Sequence, residues 1–355
     1  ITLFILIGNC NTSNLKKMHT FAIYRLPFAT ECTMLIQHSA PLVLSSLTEL
    51  EGKKGFVIAP FNVSDKCPIL LLQPNEVRTM PIKQVQSKPK EKQNASENEV
   101  YRMQYHRDFV AFHKELTNNR FAKIVLARCV QEQIPHNLKT EEVFWHACKE
   151  YPRQFVALFS TPQSGTWLMA TPEILLDGDG IEWRTMALAG TMPYNENGTE
   201  WSAKNKAEQQ YVSLYIKRCL KCYADEIKEE GPYTTQAANL VHLRTDFTFK
   251  LRPNATVGQL LHNLHPTPAV CGMPKDEAKS FIMANESNER LYYSGFAGPL
   301  NLNGNTHLYV SLRCMQMQTN TCKLYAGGGI LKESTEESEW KETEAKLSAM
   351  QQLLR

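Results

Sequence analysis

With 355 residues, 43% of them apolar, the chain is long enough to bury a large core in one large domain or two ordinary ones. The 39 lysines and arginines nearly balance 36 acids, and the net charge of +3 is spread among both signs, which excludes the one-sided basic field of a nucleic-acid binder. Ten cysteines sit in ordinary apolar stretches such as "VLARCV", so free thiols in a reducing cytoplasm are expected, not a disulfide framework.

The opening "ITLFILIGNC" is too short an apolar run to span a bilayer, and it lacks a basic flank and a small-residue cleavage site. "MHTFAIYRLPF", from Met18, reads as a natural start that runs straight into a strand, so residues 1–17 are expected to lie outside the fold. Short strand-like runs follow in "FAIYRL", "GFVIAPF" and "PILLLQ", and residues 18–100 are expected to complete the sheets of the main body. Their last part, residues 86–100 ("QSKPKEKQNASENEV"), is charged and aperiodic and reads as a loop or hinge. The region 101–355 opens with a helix from about Tyr101 to Asn118.

The middle is rich in short β runs: "FVALFS", "TWLMAT", "EILLD" and "IEWRTMAL". "LLDGDGIEW" is a hairpin signal, because Gly and Asp tolerate positive φ in the turn. The segment Ser202 to Ile227 reads as one long helix, and its Cys219 and Cys222 lack the second pair that a zinc site needs. Strands return at "VHLRTDFTFKL", "YYSGFAGPL", "HLYVSLRCMQM" and "CKLYAGGGI", with two shorter helices near Val257 to Asn263 and Asp276 to Ala284. A last helix starts near Thr335, where "STEE" (Ser334 to Glu337) has a capping-box pattern. Consecutive hairpins with helices inserted late predict an α+β fold with antiparallel sheets.

In the last helix, "ESEWKETEAKL" spaces Glu339, Glu342 and Lys346 by three and then four residues, which returns them to one face. Two carboxylates and an ammonium then look out together. Lys123 begins the buried-strand pattern "KIVLAR", and Glu173 follows a Thr-Pro in "ATPEILL". "AGGGI" has neither the Lys-Ser/Thr of a P-loop nor the spacing of a dinucleotide fingerprint. Taken singly, each has an ordinary explanation: a lysine snorkelling at a strand end, a glutamate after a turn, glycines in a tight turn. His262 and His265 look like a ligand pair, but Pro266 follows at once and no metal is expected there.

Taken together and in order, "KIVLAR", "ATPEILL", "LAGT", "LHPTPAVCG", "SLRC", "AGGGI" and "ESEWKETEAKL" closely resemble the chorismate-utilising enzymes, most of all the isochorismate synthases of menaquinone or siderophore biosynthesis. The resemblance runs from about Lys123 to Leu347 and weakens towards the N-terminus. It implies one chorismate-binding domain of two layered, largely antiparallel sheets with helices outside. It also implies an isomerase that converts chorismate to isochorismate by adding water at C2 and expelling the C4 hydroxyl. Water is a poor nucleophile and hydroxide a poor leaving group, so such a site needs a base and an acid.

By resemblance, Lys123 is the base, which requires a neutral amine and a pKa below the usual value of about 10.4. Glu173 is the acid and needs a raised pKa. Glu208, Glu339 and Glu342 resemble the carboxylates of a Mg²⁺ site, which takes hard oxygens. Lys346 and Arg313 resemble the cations that hold substrate carboxylates, Arg313 with a bidentate fork. Gly190 and Gly327 let backbone approach a carboxylate, His242 lies near the ring, and Ala269 and Tyr293 line the pocket. The implied setting is cytoplasmic, with chorismate as partner and no nucleic acid, membrane or glutaminase subunit.

Three positions depart from the family: Asn205 where an acid is usual, Gln209 where a histidine follows the glutamate, and Arg244 where a small or apolar residue is usual. Two alternatives stay open. One is a salicylate synthase, which goes on to eliminate pyruvate from isochorismate. The other is an inactive relative that binds chorismate or a partner protein.

Overall fold

The central strands of this chain are apolar at nearly every position, not at alternate ones. Gly55–Ala59 and Phe155–Thr161 are buried throughout, as strands are when both sheet faces are covered. The computed structural model describes residues 20–85, 99–195, 200–237 and 240–355. The expectations for residues 1–17, and for all but the last two residues of 86–100, lie outside them.

Among the described residues two nine-stranded sheets form, antiparallel in every pairing. The first runs, in spatial order, Gly272–Met273, Lys123–Gln133, Thr321–Ile330, Cys314–Met317, Gly165–Thr171, Phe155–Thr161, Thr20–Arg25, Glu31–Gln37 and Glu76–Pro81. The second runs Ala224–Ala237, Leu240–Leu251, Trp183–Pro193, Ile174–Gly178, Thr306–Val310, Phe296–Leu300, Gly55–Ala59, Ile69–Leu72 and Leu42–Leu44. Strands from the N-terminal part of the chain thus lie in both sheets.

Among the described residues there are six α-helices: α1 (Glu99–Thr117), α2 (Thr140–Glu150), α3 (Ala203–Tyr223), α4 (Val257–Leu264), α5 (Lys275–Asn285) and α6 (Glu336–Gln351). The inter-sheet core includes Tyr24, Phe56, Phe159 and Trp167, and Phe155 stacks on Tyr309 of the other sheet with ring centroids 4.4 Å apart. Val212, Ile216 and Leu220 of α3 cover the outer face of the second sheet with Phe247 and Phe249. Val143, Phe144 and Ala147 of α2 pack with Leu347 and Met350 of α6 outside the first.

Three local expectations change. The long helix stops at Tyr223, and its expected tail is extended backbone from Ala224 (φ −132, ψ 154) that pairs along Leu240–Leu251. The helical pattern itself runs on, since Ala224 and Ile227 follow Leu220 at helical spacing, but the neighbouring strand Leu240–Leu251 offers this segment a long run of backbone pairing instead. Helix α2, which the sequence reading does not anticipate, carries its buried face on Val143, Phe144, Ala147 and Cys148. The cap of α6 is Thr335, whose hydroxyl accepts from Ser338 N; the Ser334 hydroxyl accepts from Leu331 N instead. The hairpin at "LLDGDGIEW" forms as expected, with Asp177 opposite Arg184 and Gly180 at φ +90.

Candidate active site

Strand alternation sends Lys123, Val125 and Ala127 to one side of their strand, while Ile124 and Leu126 pack outward beneath α1 and α5. Lys123 thus points inward and is fully buried. Its neighbour Thr321–Ile330 pairs with Gly329 opposite Val125 and Gly327 opposite Ala127. A Cβ on Gly329 would lie 2.1 Å from Glu208 Oε1 and 2.7 Å from Lys123 Cε; one on Gly327 would lie 2.7 Å from the Tyr293 hydroxyl. Only glycine leaves these side chains room at the strand.

Lys123 Nζ lies 3.1 Å from Glu208 Oε1. Burial works against ionisation of Glu208, but the charges of Lys123 and Lys204 outweigh it and hold the carboxyl below its ordinary range. Glu173, between Gly165–Thr171 and Ile174–Gly178, is 1% exposed, and neither carboxyl oxygen has a hydrogen-bond partner. Burial pushes its pKa to about 8, against the opposing pull of Lys123 and Lys346. A protonated acid and an ionised carboxylate thus flank one buried amine.

Lys346 Nζ bonds Glu342 Oε1 at 2.7 Å and Gly327 O at 2.8 Å. On the turn before, Glu339 bonds the Lys204 ammonium, leaving its Oε2 buried without a partner. Burial and the neighbouring Glu342 push Glu339 up to about 7. Across the pocket, Arg313 Nη2 donates to His242 Nε2 at 3.0 Å, and the His242 Nδ1–Thr191 Oγ1 distance is 3.2 Å. Gln154 accepts from Arg313 Nη1 at 3.0 Å and donates to Ala170 O. Burial, with Arg313 and Lys346 adding to it, holds His242 well below the ordinary histidine range.

These groups surround one cavity, partly open to solvent. Glu173, Gly190, Glu208, His242, Ala269, Tyr293, Arg313, Gly327 and Lys346 line it. Lys123 lies directly behind Glu208. Glu339 and Glu342 stand at Gly328, the strand position between the two pocket-facing glycines, and so belong to the same network without lining the cavity.

A hard-oxygen donor set is therefore present for a divalent cation in Glu208, Glu339 and Glu342, with one buried oxygen of Glu339 unpaired, and in its chemistry it fits Mg²⁺. Among the described residues no three ligand side chains close on one point, because each carboxylate is drawn to a lysine. His265 bonds Pro60 O through Nε2 and meets the ring of Phe296 edge to face.

Of the departures, Arg244 folds onto Asp246 at 2.7 Å and Gln209 bonds Thr245 Oγ1 at 2.6 Å; neither lines the cavity. The backbone of Asn205 supports Gly190, whose φ is +73 and whose Cβ would come within 3.1 Å of Asn205 O. The sequence reading misses Lys204, Thr191 and Gln154. Lys204 was legible, since it precedes Glu208 by four residues and shares its face. Gln154 carries no local signal at all.

A cavity with the carboxyl of Glu173 at one wall and the cations Arg313 and Lys346 at others suits a small anionic molecule. The chain belongs to the chorismate-binding enzymes: residues 56–355 match the family model described as chorismate binding enzyme. It is similar to isochorismate synthase DhbC of Bacillus subtilis, 29% identical over 253 residues (66% of this chain, 63% of that protein). It is equally similar to isochorismate synthase EntC of Escherichia coli K12, 29% identical over 238 residues (64% and 61%). The chain thus spans less than two thirds of the length of these relatives. The solved structure of MenF, the menaquinone-specific isochorismate synthase from Escherichia coli, shares the fold with a TM-score of 0.78 at 21% identity, over 96% of this chain and 90% of that one. Anthranilate synthase component I from Streptococcus pneumoniae follows at a TM-score of 0.63 and 19% identity, over 72% and 58%.

Proposed function

We propose that the chain is an isochorismate synthase: it converts chorismate to isochorismate by adding water at C2 and losing the C4 hydroxyl. The observation that carries this is the pairing of Glu173, which keeps its proton to about pH 8, with the buried Lys123 amine at the same cavity. In its neutral form Lys123 takes a proton from water as the water oxygen bonds to C2. The diene shifts, the C4–O bond breaks, and Glu173 gives its proton to the departing oxygen, which leaves as water. Product and substrate are isomers, so the balance closes. Arg313 and Lys346 hold the two carboxylates of the substrate, and the open backbone at Gly327 and Gly190 lets the ligand lie close to the strand.

Glu208, Glu339 and Glu342 are the residues that would hold Mg²⁺, and the ion would supply positive charge to the ring carboxylate. Because water is the nucleophile, no glutaminase partner is required. A cytoplasmic setting agrees with the free thiols among the described residues, none of whose helices is long and apolar enough to cross a membrane. One solved relative is named menaquinone-specific and another relative vibriobactin-specific, and the proposal concerns the reaction, not the pathway.

Turnover in ¹⁸O-labelled water tests the chemistry. The new C2 hydroxyl of isochorismate is expected to carry one solvent oxygen. An unlabelled C2 hydroxyl would mean that the C4 oxygen migrates directly and that Lys123 activates no water.

A further inference from the structure

Each of the three glutamates proposed as metal ligands lies on a lysine: Glu208 on Lys123, Glu339 on Lys204 and Glu342 on Lys346. The six formal charges cancel. A divalent cation brought to the same carboxylates adds two positive charges to a buried network that is already balanced, so at least one ammonium must give way.

The three lysines are not equally placed to do so. Lys123 is fully buried. Lys346 is tied to Gly327 O as well as to Glu342. Lys204 keeps 21% of its side chain exposed. It also stands two residues after the cap residue Ser202, in the first turn of α3, where the positive end of the helix dipole disfavours an ammonium. What draws it inward is the carboxylate cluster, with Glu339 in direct contact and the charges of Glu208 and Glu342 close by.

We propose that Lys204 is a resident counter-cation of this cluster, which holds Glu339 in place and swings out to solvent when a divalent cation takes the carboxylates. The inference rests on the reading of Glu208, Glu339 and Glu342 as a metal site. It gives Lys204 a defined job: its ammonium competes with the ion and so sets the ion's affinity. It also keeps three buried carboxylates from repelling one another while no metal is bound.

The test is metal binding, not turnover. Mn²⁺ is titrated with free ion read by EPR, and Mg²⁺ by calorimetry, at pH 8, on wild type, Lys204→Met, Lys204→Gln and Lys206→Met. The exposed Lys206 controls for loss of one positive charge nearby. Both Lys204 variants are expected to bind the ion about tenfold tighter, and Lys206→Met to stay within about twofold of wild type. Two differently shaped replacements guard against a folding defect, which thermal melts report. Equal or weaker binding by folded Lys204 variants overturns the proposal and leaves the metal site standing. No ion bound by any of the proteins at millimolar concentration overturns both.

Discussion

Arg313 Nη2 lies 3.0 Å from His242 Nε2, and because a guanidinium can only donate, the imidazole accepts there. His242 therefore carries its proton on Nδ1, 3.2 Å from Thr191 Oγ1, to which it donates. The ring is spent on orienting Arg313 and has no nitrogen left for acid–base chemistry. ¹⁵N NMR of the imidazole is expected to show the neutral Nδ1–H tautomer at pH 6. His242→Asn is expected to raise KM for chorismate by roughly tenfold with a smaller change in kcat, because the fork of Arg313 loses its brace. An imidazolium signal at pH 6, or a loss confined to kcat, would return His242 to a proton-transfer role.

The pH dependence follows from Glu173. Its folded-state pKa of about 8 stands above the ordinary 4.5, so the folded chain binds the extra proton between those values. The protonated acid is the working form, and kcat/KM is expected to fall above pH 8. Stability follows the same sign: the contribution of this group is full below pH 4.5 and lost by about pH 8. Glu173→Gln should remove that loss, melting higher than wild type at pH 9 while turning over at least about 10²-fold slower. A flat profile to pH 10 would contradict the assignment.

Removing Lys123 takes away more than a base, since Glu208 would be left ionised and buried without the ammonium that now lies 3.1 Å from it. Lys123→Met is expected to cost about 3–5 kcal/mol of stability as well as all turnover. Adding Glu208→Gln should recover part of the stability and none of the activity, which denaturant melts and product assays would read. Full stability in the single variant would show that water reaches Glu208.

The glycine run gives a paired prediction. Gly327→Ala places a methyl 2.7 Å from the Tyr293 hydroxyl, so it is expected to destabilise by about 1–3 kcal/mol. Tyr293→Phe removes the atom in the way, and the double variant should melt closer to wild type than Gly327→Ala alone. Strict additivity would place the strain elsewhere.

Much of this site was legible because its chemistry is carried by local patterns. The helical spacing of Glu339, Glu342 and Lys346 and the strand start at Lys123 are visible in short windows, and so is the glycine run. Residues whose role comes from pairing across the chain were not. Gln154 meets Arg313 only because Phe155–Thr161 lies two strands from Cys314–Met317 in one sheet. The first residues of the strand Ala224–Ala237, as far as Ile227, were read as helix because their composition continues that of α3, while what holds them extended is a partner strand further along the chain. The antiparallel α+β character came from hairpin signals and the two layered sheets with helices outside from the family resemblance, and the cap of α6 moved by one residue because Ser334 and Thr335 are both able to cap.

The central claim is tested most directly by incubating the purified chain with chorismate and Mg²⁺, with an EDTA control, and resolving the products by chromatography. Isochorismate that accumulates with Mg²⁺ and vanishes with EDTA is the predicted result. Salicylate with pyruvate would keep the site and change the reaction, and chorismate recovered unchanged in both tubes would contradict the account.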